Sequence, residues 1–294
     1  MKKFLSIILF ASIAITSNAQ ILWRISGNGL EKPSYILGTH HLAPLSIIDS
    51  IKGLPKALES TTQIVGEINM ANIKNPDMIQ LMQKEMMISS DTTLASLFNK
   101  EEFDTINKLT KKYLTLDISL TPKLKPSFLE SNLMVAIYMK QINGFNMNEQ
   151  LDSYFQTEGM KKGKKIIALE TLEFQFHILY SSSSLKRQAE MLLCELNNID
   201  TTLALTKELT SDYMKQDLNA LLKLSEKKQN NQCDPNPDEL EMTIYNRNRN
   251  WAKQLPKIMK EAPAFIAVGA LHLPGDKGLL HLLKLQGYKV EPIK

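Results

Sequence analysis

The sequence predicts an α/β fold in which a central mixed β-sheet carries flanking helices and a large helical insertion. Short apolar runs bounded by turn residues recur along the chain, and such runs indicate buried strands. Between them lie longer stretches with apolar residues three and four positions apart, which indicate helices. A strand, a Gly-x-x-His turn and a helix-like segment follow one another near each end of the chain, so one structural unit occurs twice.

The amino terminus has the three parts of a secretory signal peptide, residues 1–19. Residues 1–3 include two lysines, residues 4–16 are apolar, and small residues up to Ala19 suit a cleavage site. The apolar part is shorter than the ~20 residues that a membrane-spanning helix needs. We therefore expect cleavage after Ala19, no stable membrane anchor afterwards, and a periplasmic or secreted protein.

The mature chain, residues 20–294, contains no Pro-, Gly- or Ser-rich linker that would divide it, and we predict a single domain. Loss of Lys2 and Lys3 with the signal peptide lowers the formal charge from +4 to +2. The remaining lysine runs are separated and lie beside acidic residues, as on a solvated surface. This pattern argues against a nucleic-acid partner.

The strands and helices can be assigned in chain order. Residues 21–26 and 34–38 are predicted to form a hairpin, because Gly27-Asn28-Gly29 between them is turn chemistry. Further strands are predicted at residues 64–68, 165–169, 264–269 and 289–291. Helices are predicted at residues 74–88, 100–114, 126–142, 148–162, 185–195, 202–228 and 237–260.

The repeated unit places two histidines in equivalent positions. Residues 36–42 and 267–273 are both apolar strands that run into Gly-x-x-His-Leu. Ligands of open α/β sheets bind beyond the carboxyl ends of strands, and glycine lets the backbone turn there without a Cβ clash. If the two strands are neighbours, His41 and His272 face one polar site.

Two glutamates end apolar strands, Glu67 after residues 64–66 and Glu170 after residues 166–169. A buried carboxylate is costly unless it meets a cation, a hydrogen-bond donor or a metal, so both are candidate site residues. Glu170 has an alternative role as part of a helix start, because Thr171 and Glu173 also suit one.

Arg247 and Asn248 lie in the helix before the last long strand. The arginine could hold an anionic substrate group or one of the glutamates, because a guanidinium binds a carboxylate through two parallel hydrogen bonds. An exposed position on the helix face is the alternative. His40, His177 and His281 receive no role because none occupies the repeated position.

The chain has two cysteines, Cys194 and Cys233. A disulfide is chemically allowed in an exported protein, but the sequence does not give the distance between the two residues. A bond and two separate buried thiols both remain open. Neither cysteine lies in a Cys-x-x-Cys motif, which argues against catalytic use.

These motifs, in this order, resemble the TraB/GumN family over nearly all of the mature chain. The segments that carry the resemblance are residues 35–41, 67, 169–171 with 175, 247–248 with 251, 268–273, 278–280 and 287–290. The family includes the TIKI proteins, so the resemblance implies a metal-dependent protease without a His-Glu-x-x-His helix. It implies His41, His272 and Glu67 as site residues, with Glu170, Arg247 and Asn248 as candidates.

The corresponding hypothesis is a divalent ion held by His41, His272 and Glu67, with an open position for water. The activated water would attack a peptide or related acyl carbon, so the expected partner is a peptide or protein substrate. Glu170 would accept the proton of the water and Arg247 would stabilise the oxyanion. Imidazole and carboxylate ligands allow Zn, Mn, Co or Fe.

Two alternatives remain from the sequence. A non-catalytic exported protein could use the same histidines to hydrogen-bond a captured peptide or signalling molecule, with no metal. A structural metal site is the weaker alternative, because such sites usually have four protein ligands, often cysteines, and the two cysteines here form no close-spaced pair.

Overall fold

A mixed β-sheet forms the centre of the protein. The computed structural model describes residues 20–141, 146 and 149–294, so the predicted signal peptide lies outside the described residues. The strands of the sheet are β1 (Leu22–Ser26), β2 (Ser34–Thr39), β3 (Gln63–Gly66), β4 (Lys165–Ala168), β5 (Ala264–Gly269) and β6 (Lys289–Pro292). Their order across the sheet is β4-β3-β5-β2-β1-β6. The predicted α/β class is confirmed.

The four strands from β4 to β2 are parallel, while β1 and β6 extend the sheet in antiparallel fashion. The strands of the two Gly-x-x-His motifs are direct neighbours, with Thr39 of β2 opposite Gly269 of β5. On the other side of β5 lies β3, whose last residue, Gly66, is opposite Ala267. The carboxyl ends of β2, β5 and β3 therefore meet at one edge of the sheet.

The predicted hairpin connects β1 to β2, with Leu22 opposite Leu37. Its turn uses three consecutive positive φ angles, 78° at Gly27, 46° at Asn28 and 80° at Gly29. Glycine adopts this region without a Cβ penalty, and asparagine tolerates it better than most residues. The Gly-Asn-Gly triplet therefore explains why the chain reverses at this point.

Twelve α-helices surround the sheet in the described part of the chain. They are α1 (Leu54–Glu59), α2 (Pro76–Met86), α3 (Lys100–Leu114), α4 (Pro126–Gln141), α5 (Leu151–Lys161), α6 (Leu172–Ser181), α7 (Leu185–Asn197), α8 (Ile199–Met214), α9 (Leu218–Ser225), α10 (Pro237–Leu240), α11 (Asn246–Glu261) and α12 (Leu279–Leu285). None of the helices in these residues is both long and apolar enough to cross a membrane.

Three helical segments differ from the sequence-based assignment. The stretch 202–228 forms two helices, because Gln216 has a φ of 62° and the Asp217 side chain caps the start of α9. A π-helical turn at Glu241–Tyr245 separates α10 from α11. Helix α6 was not predicted as a separate helix, although the Thr171 side chain caps its first turn by accepting from the Phe174 N–H.

The main hydrophobic core joins the sheet to helices packed against its faces. Trp251, Leu255 and Met259 of α11 and Phe155 of α5 belong to it, and all four are buried. Two smaller apolar clusters lie among helices of the region between β3 and β5. A disulfide joins Cys194 of α7 to Cys233 in the loop between α9 and α10. The sequence had left this pairing open.

Candidate active site

A central cavity of about 240 Å³ opens at the sheet edge where β2, β3 and β5 end. Its wall includes His41, Glu67, Arg247 and His272, so four of the six predicted site residues share one cavity. Short turns after the strands account for this convergence, because each residue lies within three positions of its strand end or, for Arg247, at the start of α11.

The environment of His272 fixes its tautomer. The side chain of Asn248 donates from Nδ2 to the Lys277 carbonyl at 2.9 Å, which leaves Asn248 Oδ1 to accept a hydrogen bond from His272 Nδ1 at 2.7 Å. The proton is therefore on Nδ1, and the lone pair on Nε2 lies 3.2 Å from Nη1 of Arg247. Burial lowers the pKa of His272 to about 4, so the ring is neutral near pH 7.

Arg247 uses every N–H of its guanidinium. Its Nε donates to Glu170 Oε1 at 3.0 Å, and Nη2 donates to Glu67 Oε2 at 2.5 Å and to Glu170 Oε2 at 2.9 Å. Its Nη1 faces the Thr243 carbonyl at 3.1 Å and His272. One buried cation therefore connects the two predicted glutamates to the second Gly-x-x-His motif.

Glu67 is held at both carboxylate oxygens. Oε1 accepts from the Gly269 N–H at 2.8 Å, and Oε2 accepts from Gln175 at 3.0 Å in addition to Arg247. Burial acts to raise the pKa of Glu67, but attraction to His272 and Arg247 and the Gly269 hydrogen bond hold it at about 2. Because His272 is neutral above about pH 4, the cations that lower the pKa of Glu67 at neutral pH are Arg247 and His41.

Glu170 has only 6% of its side chain exposed and lies on the other side of Arg247 from the central cavity, in a separate surface hollow beside Thr171. Besides Arg247, it accepts from Trp251 Nε1 at 2.8 Å and from Gln175 at 3.3 Å. With these donors in place, the carboxylate positions Arg247. This arrangement favours a positioning role for Glu170 over the proton transfer that was expected of it.

His41 lies at the cavity mouth, where 64% of its side chain is exposed. Its Nδ1 is 3.3 Å from Oδ2 of Asp152, a residue of α5, and Asp152 Oδ1 accepts from the Thr39 hydroxyl at 3.0 Å. The interaction with Asp152 raises the pKa of His41 to about 9, so this ring is charged near pH 7. The two histidines of the repeat therefore carry opposite protonation states.

A sequence model of the TraB/PrgY/gumN family matches residues 21–292, a range that includes every site residue above. The protein belongs to the TraB/PrgY/gumN family. The resemblance drawn from the motifs is thereby confirmed. Comparison of this TraB/PrgY/gumN chain with curated proteins and with solved structures finds no match.

Asp152 is the site residue of this TraB/PrgY/gumN protein that the sequence did not reveal. It is a lone acid in the first turn of α5, where acids are common because they interact favourably with the helix dipole. Its contact with Thr39 spans 113 positions of the chain. No motif around it distinguishes that role from a helix-start residue.

His40, the residue next to His41, also lines the central cavity. Thr210 donates its hydroxyl proton to the Thr206 carbonyl at 3.0 Å, so His40 Nε2 donates to Thr210 Oγ1 at 3.0 Å. The ring packs against Tyr213 with a centroid distance of 5.3 Å, and burial lowers its pKa to about 4. His40 is thus a neutral ring fixed by helix α8.

The imidazole and carboxylate groups at the site of this family member are of the types that bind divalent ions. His272 donates its Nδ1 proton to an oxygen acceptor, which is the outer-shell arrangement of metal-binding histidines, and His41 Nδ1 lies 3.3 Å from a carboxylate oxygen of Asp152. However, Arg247 already contacts His272 Nε2 and Glu67 Oε2. Among the described residues, no group of three or more His, Cys, Asp or Glu side chains is arranged to hold a metal. An ion would therefore require Arg247 to move.

Proposed function

We propose that this protein is a hydrolase that cleaves peptides or related acyl compounds with a water molecule activated in the central cavity. The observation that carries the proposal is the meeting of His41, Glu67 and His272 at one accessible sheet edge. The pKa of His41 is raised to about 9 and that of His272 is lowered to about 4. Two like groups whose pKa values are shifted in opposite directions are the usual arrangement for an acid and a base.

The proposal includes a divalent ion, either Zn, Mn, Co or Fe, with His41, His272 and Glu67 as its ligands. The ion would supply a Lewis acid that lowers the pKa of water toward neutrality. Its binding would release the proton from His41, because only a neutral imidazole is a ligand. The hydrogen bond at His272 Nδ1 and the ion pair at His41 Nδ1 support this assignment.

The roles of the surrounding residues follow from their hydrogen bonds. Asn248 keeps the proton of His272 on Nδ1, so the lone pair lies on Nε2, where it faces Arg247 Nη1. Once Arg247 moves aside, that lone pair would bind a ligand or accept a proton from water. Asp152 orients His41 and stabilises its charged form until a ligand or substrate arrives. Arg247 aligns Glu67, and Glu170 holds Arg247 in place through its own hydrogen bonds. We therefore assign neither Arg247 nor Glu170 direct contact with the reacting atoms.

The test is the metal content of the purified mature protein by mass spectrometry, followed by peptide cleavage with and without a chelator. We expect about one ion per chain, lost in the His41→Ala, His272→Ala double variant and retained in His177→Ala, whose histidine is exposed and has no assigned role. Cleavage that persists at full rate in chelator would contradict the metal part. Absence of any cleavage, with metal bound, would contradict the hydrolase itself.

A second candidate is a non-catalytic protein that binds an exported peptide or signalling molecule. The apolar part of the cavity wall favours it, since Leu209, Leu221, Ile244 and Leu271 surround the polar residues. The network of Arg247 would then be purely structural. A metal-free protein that binds peptides, cleaves none and keeps its stability in the double histidine variant would support this candidate.

A further inference from the structure

A second cavity shares His41 and Glu67 with the central cavity. This outer cavity has a volume of about 390 Å³, and both residues belong to its wall as well as to that of the central cavity. The rest of its wall comes from the segment after β3 and from helices α4, α5 and α6. The two cavities therefore meet at the proposed reacting groups, and we call the two together the groove.

The walls of the outer cavity are apolar or uncharged away from this junction. Met70, Ile73, Leu172, Phe176 and Leu179 supply its apolar surface, and Leu179 is 52% exposed although it lies in a concave wall. A contiguous apolar surface of this kind in a concave wall, rather than one exposed leucine, is what a ligand covers.

Polar groups in the outer cavity are mostly neutral. Ser131, Asn132 and Gln150 contribute hydroxyl and amide groups, which are suited to hydrogen bonds with a peptide backbone. The acids in its wall, Glu67 and Asp152, both lie at the junction with His41. A charged substrate side chain would thus lose its hydration in the outer cavity without gaining a counter-ion along the apolar wall.

The size of each part also bears on the ligand. A pocket for one small molecule typically has ~300–1,000 Å³. The central cavity, at about 240 Å³, falls below that range, and the outer cavity, at about 390 Å³, lies near its lower end. A compact ligand held in one of them would leave the other unused. An extended polypeptide, which advances ~3.3 Å per residue with side chains on alternating sides, can occupy both.

We infer that the substrate is an extended polypeptide segment with apolar side chains on both sides of the bond that reacts. The bond lies at the His41–Glu67 junction, with one flank in the central cavity and the other in the outer cavity. This inference rests on the proposed function for the position of the bond. That the substrate residues on either side of this bond are apolar and uncharged follows from the residues that line the two cavities.

The inference is tested by the binding of a short fluorescent peptide of apolar residues, measured by anisotropy in the presence of chelator. The comparison peptides carry Glu or Lys in place of the apolar residues. We expect the apolar peptide to bind at least about tenfold more tightly, because burial of two or three apolar side chains exceeds the ~1.4 kcal/mol that a tenfold change requires. Equal affinities, or no binding of any peptide, would overturn the inference.

A pair of matched variants locates the binding surface. Leu179→Asp places a charge in the outer cavity, and Leu285→Asp makes the same change at a 71% exposed leucine of α12. We expect about tenfold weaker binding for the first variant and unchanged binding for the second, with both retaining the wild-type unfolding temperature. Wild-type affinity in Leu179→Asp would show that the outer cavity is not part of the binding site.

The same peptides separate this inference from the proposed function. Binding that follows the pattern above, without cleavage after metal is restored, would leave the groove in place and contradict the hydrolase. Cleavage of peptides regardless of the residues beside the cut, mapped by mass spectrometry, would leave the hydrolase in place and overturn the groove.

Discussion

Replacement of Arg247 by methionine is expected to destabilise the fold by about 3–5 kcal/mol, the usual cost of removing one partner of a buried ion pair. The side chains of Arg247, Glu67 and Glu170 are only 10%, 13% and 6% exposed. The substitution keeps an apolar side chain of similar length but leaves two buried carboxylates without their cation. The loss therefore comes from uncompensated charge rather than from a cavity.

The pKa of Glu67 gives an independent magnitude for the same network. A carboxyl whose pKa falls from 4.5 to about 2 on folding contributes on the order of 3 kcal/mol. Because the folded-state pKa is the lower one, this stability is present above pH 4.5 and is lost as the pH falls toward 2. The Arg247→Met variant lacks the part of that contribution that comes from Arg247, so the stability difference between the variant and the wild type should narrow at acidic pH.

Urea unfolding followed by circular dichroism, at neutral pH and at a series of acidic pH values, measures both effects. Arg249→Met is the matched control, because Arg249 lies two positions along the same helix and pairs with Glu241 at the surface, where its side chain is 45% exposed. We expect that control to lose less than about 1 kcal/mol. Equal losses in the two variants, or a difference that does not change with pH, would refute the reasoning about Arg247.

Three further predictions concern the rest of the site and its support. In Asp152→Asn, the pKa of His41 should fall from about 9 toward its ordinary value of 6.5 because the anionic partner is lost, and NMR titration of the ring without metal measures it; an unchanged pKa would contradict the assignment. Gly38→Ala should lose about 1–3 kcal/mol in urea unfolding, since an added Cβ would lie 2.9 Å from the backbone of the turn after β5, and wild-type stability would show that this turn shifts freely. Replacing Cys194 and Cys233 together by serine should cost about 2–4 kcal/mol, because the disulfide closes a loop with a sequence separation of 39, and a thermal unfolding temperature equal to that of the wild type would contradict this prediction.

The sequence was most informative where a motif coincided with the end of a strand. The repeated Gly-x-x-His units predicted that His41 and His272 face one site, and the parallel pairing of β2 with β5 supplies the reason. The glycine of the first unit is required by contact, because a Cβ at Gly38 would meet the turn that carries the second unit. Pattern and packing agree here because the same few residues make both the turn and the contact.

Prediction from sequence was weakest where a role depends on a contact between distant helices. Asp152 could not be connected with His41, because an acid in the first turn of a helix has a sufficient local explanation. The break at Gln216 was missed because a non-glycine residue rarely adopts a positive φ, so the apolar pattern ran on through it. Arg247 was identified as a site residue from the sequence. Only the partners of its five N–H groups in the folded chain show that it holds the two glutamates in place instead of contacting the substrate.

The position of Arg247 relates the stability of the fold to the proposed chemistry. Its guanidinium and a divalent ion would use the same lone pairs, on His272 Nε2 and on Glu67 Oε2. Because a cation is in place before any ligand binds, Glu67 is already ionised and oriented, and the site need not bury an unpaired carboxylate. An ion that binds must then supply more free energy than the two contacts it replaces, while Glu170 keeps Arg247 close by through its own hydrogen bonds. The buried arginine thus makes the polar site compatible with a stable fold. It also sets the binding free energy that a metal ion must supply to replace Arg247 at His272 and Glu67.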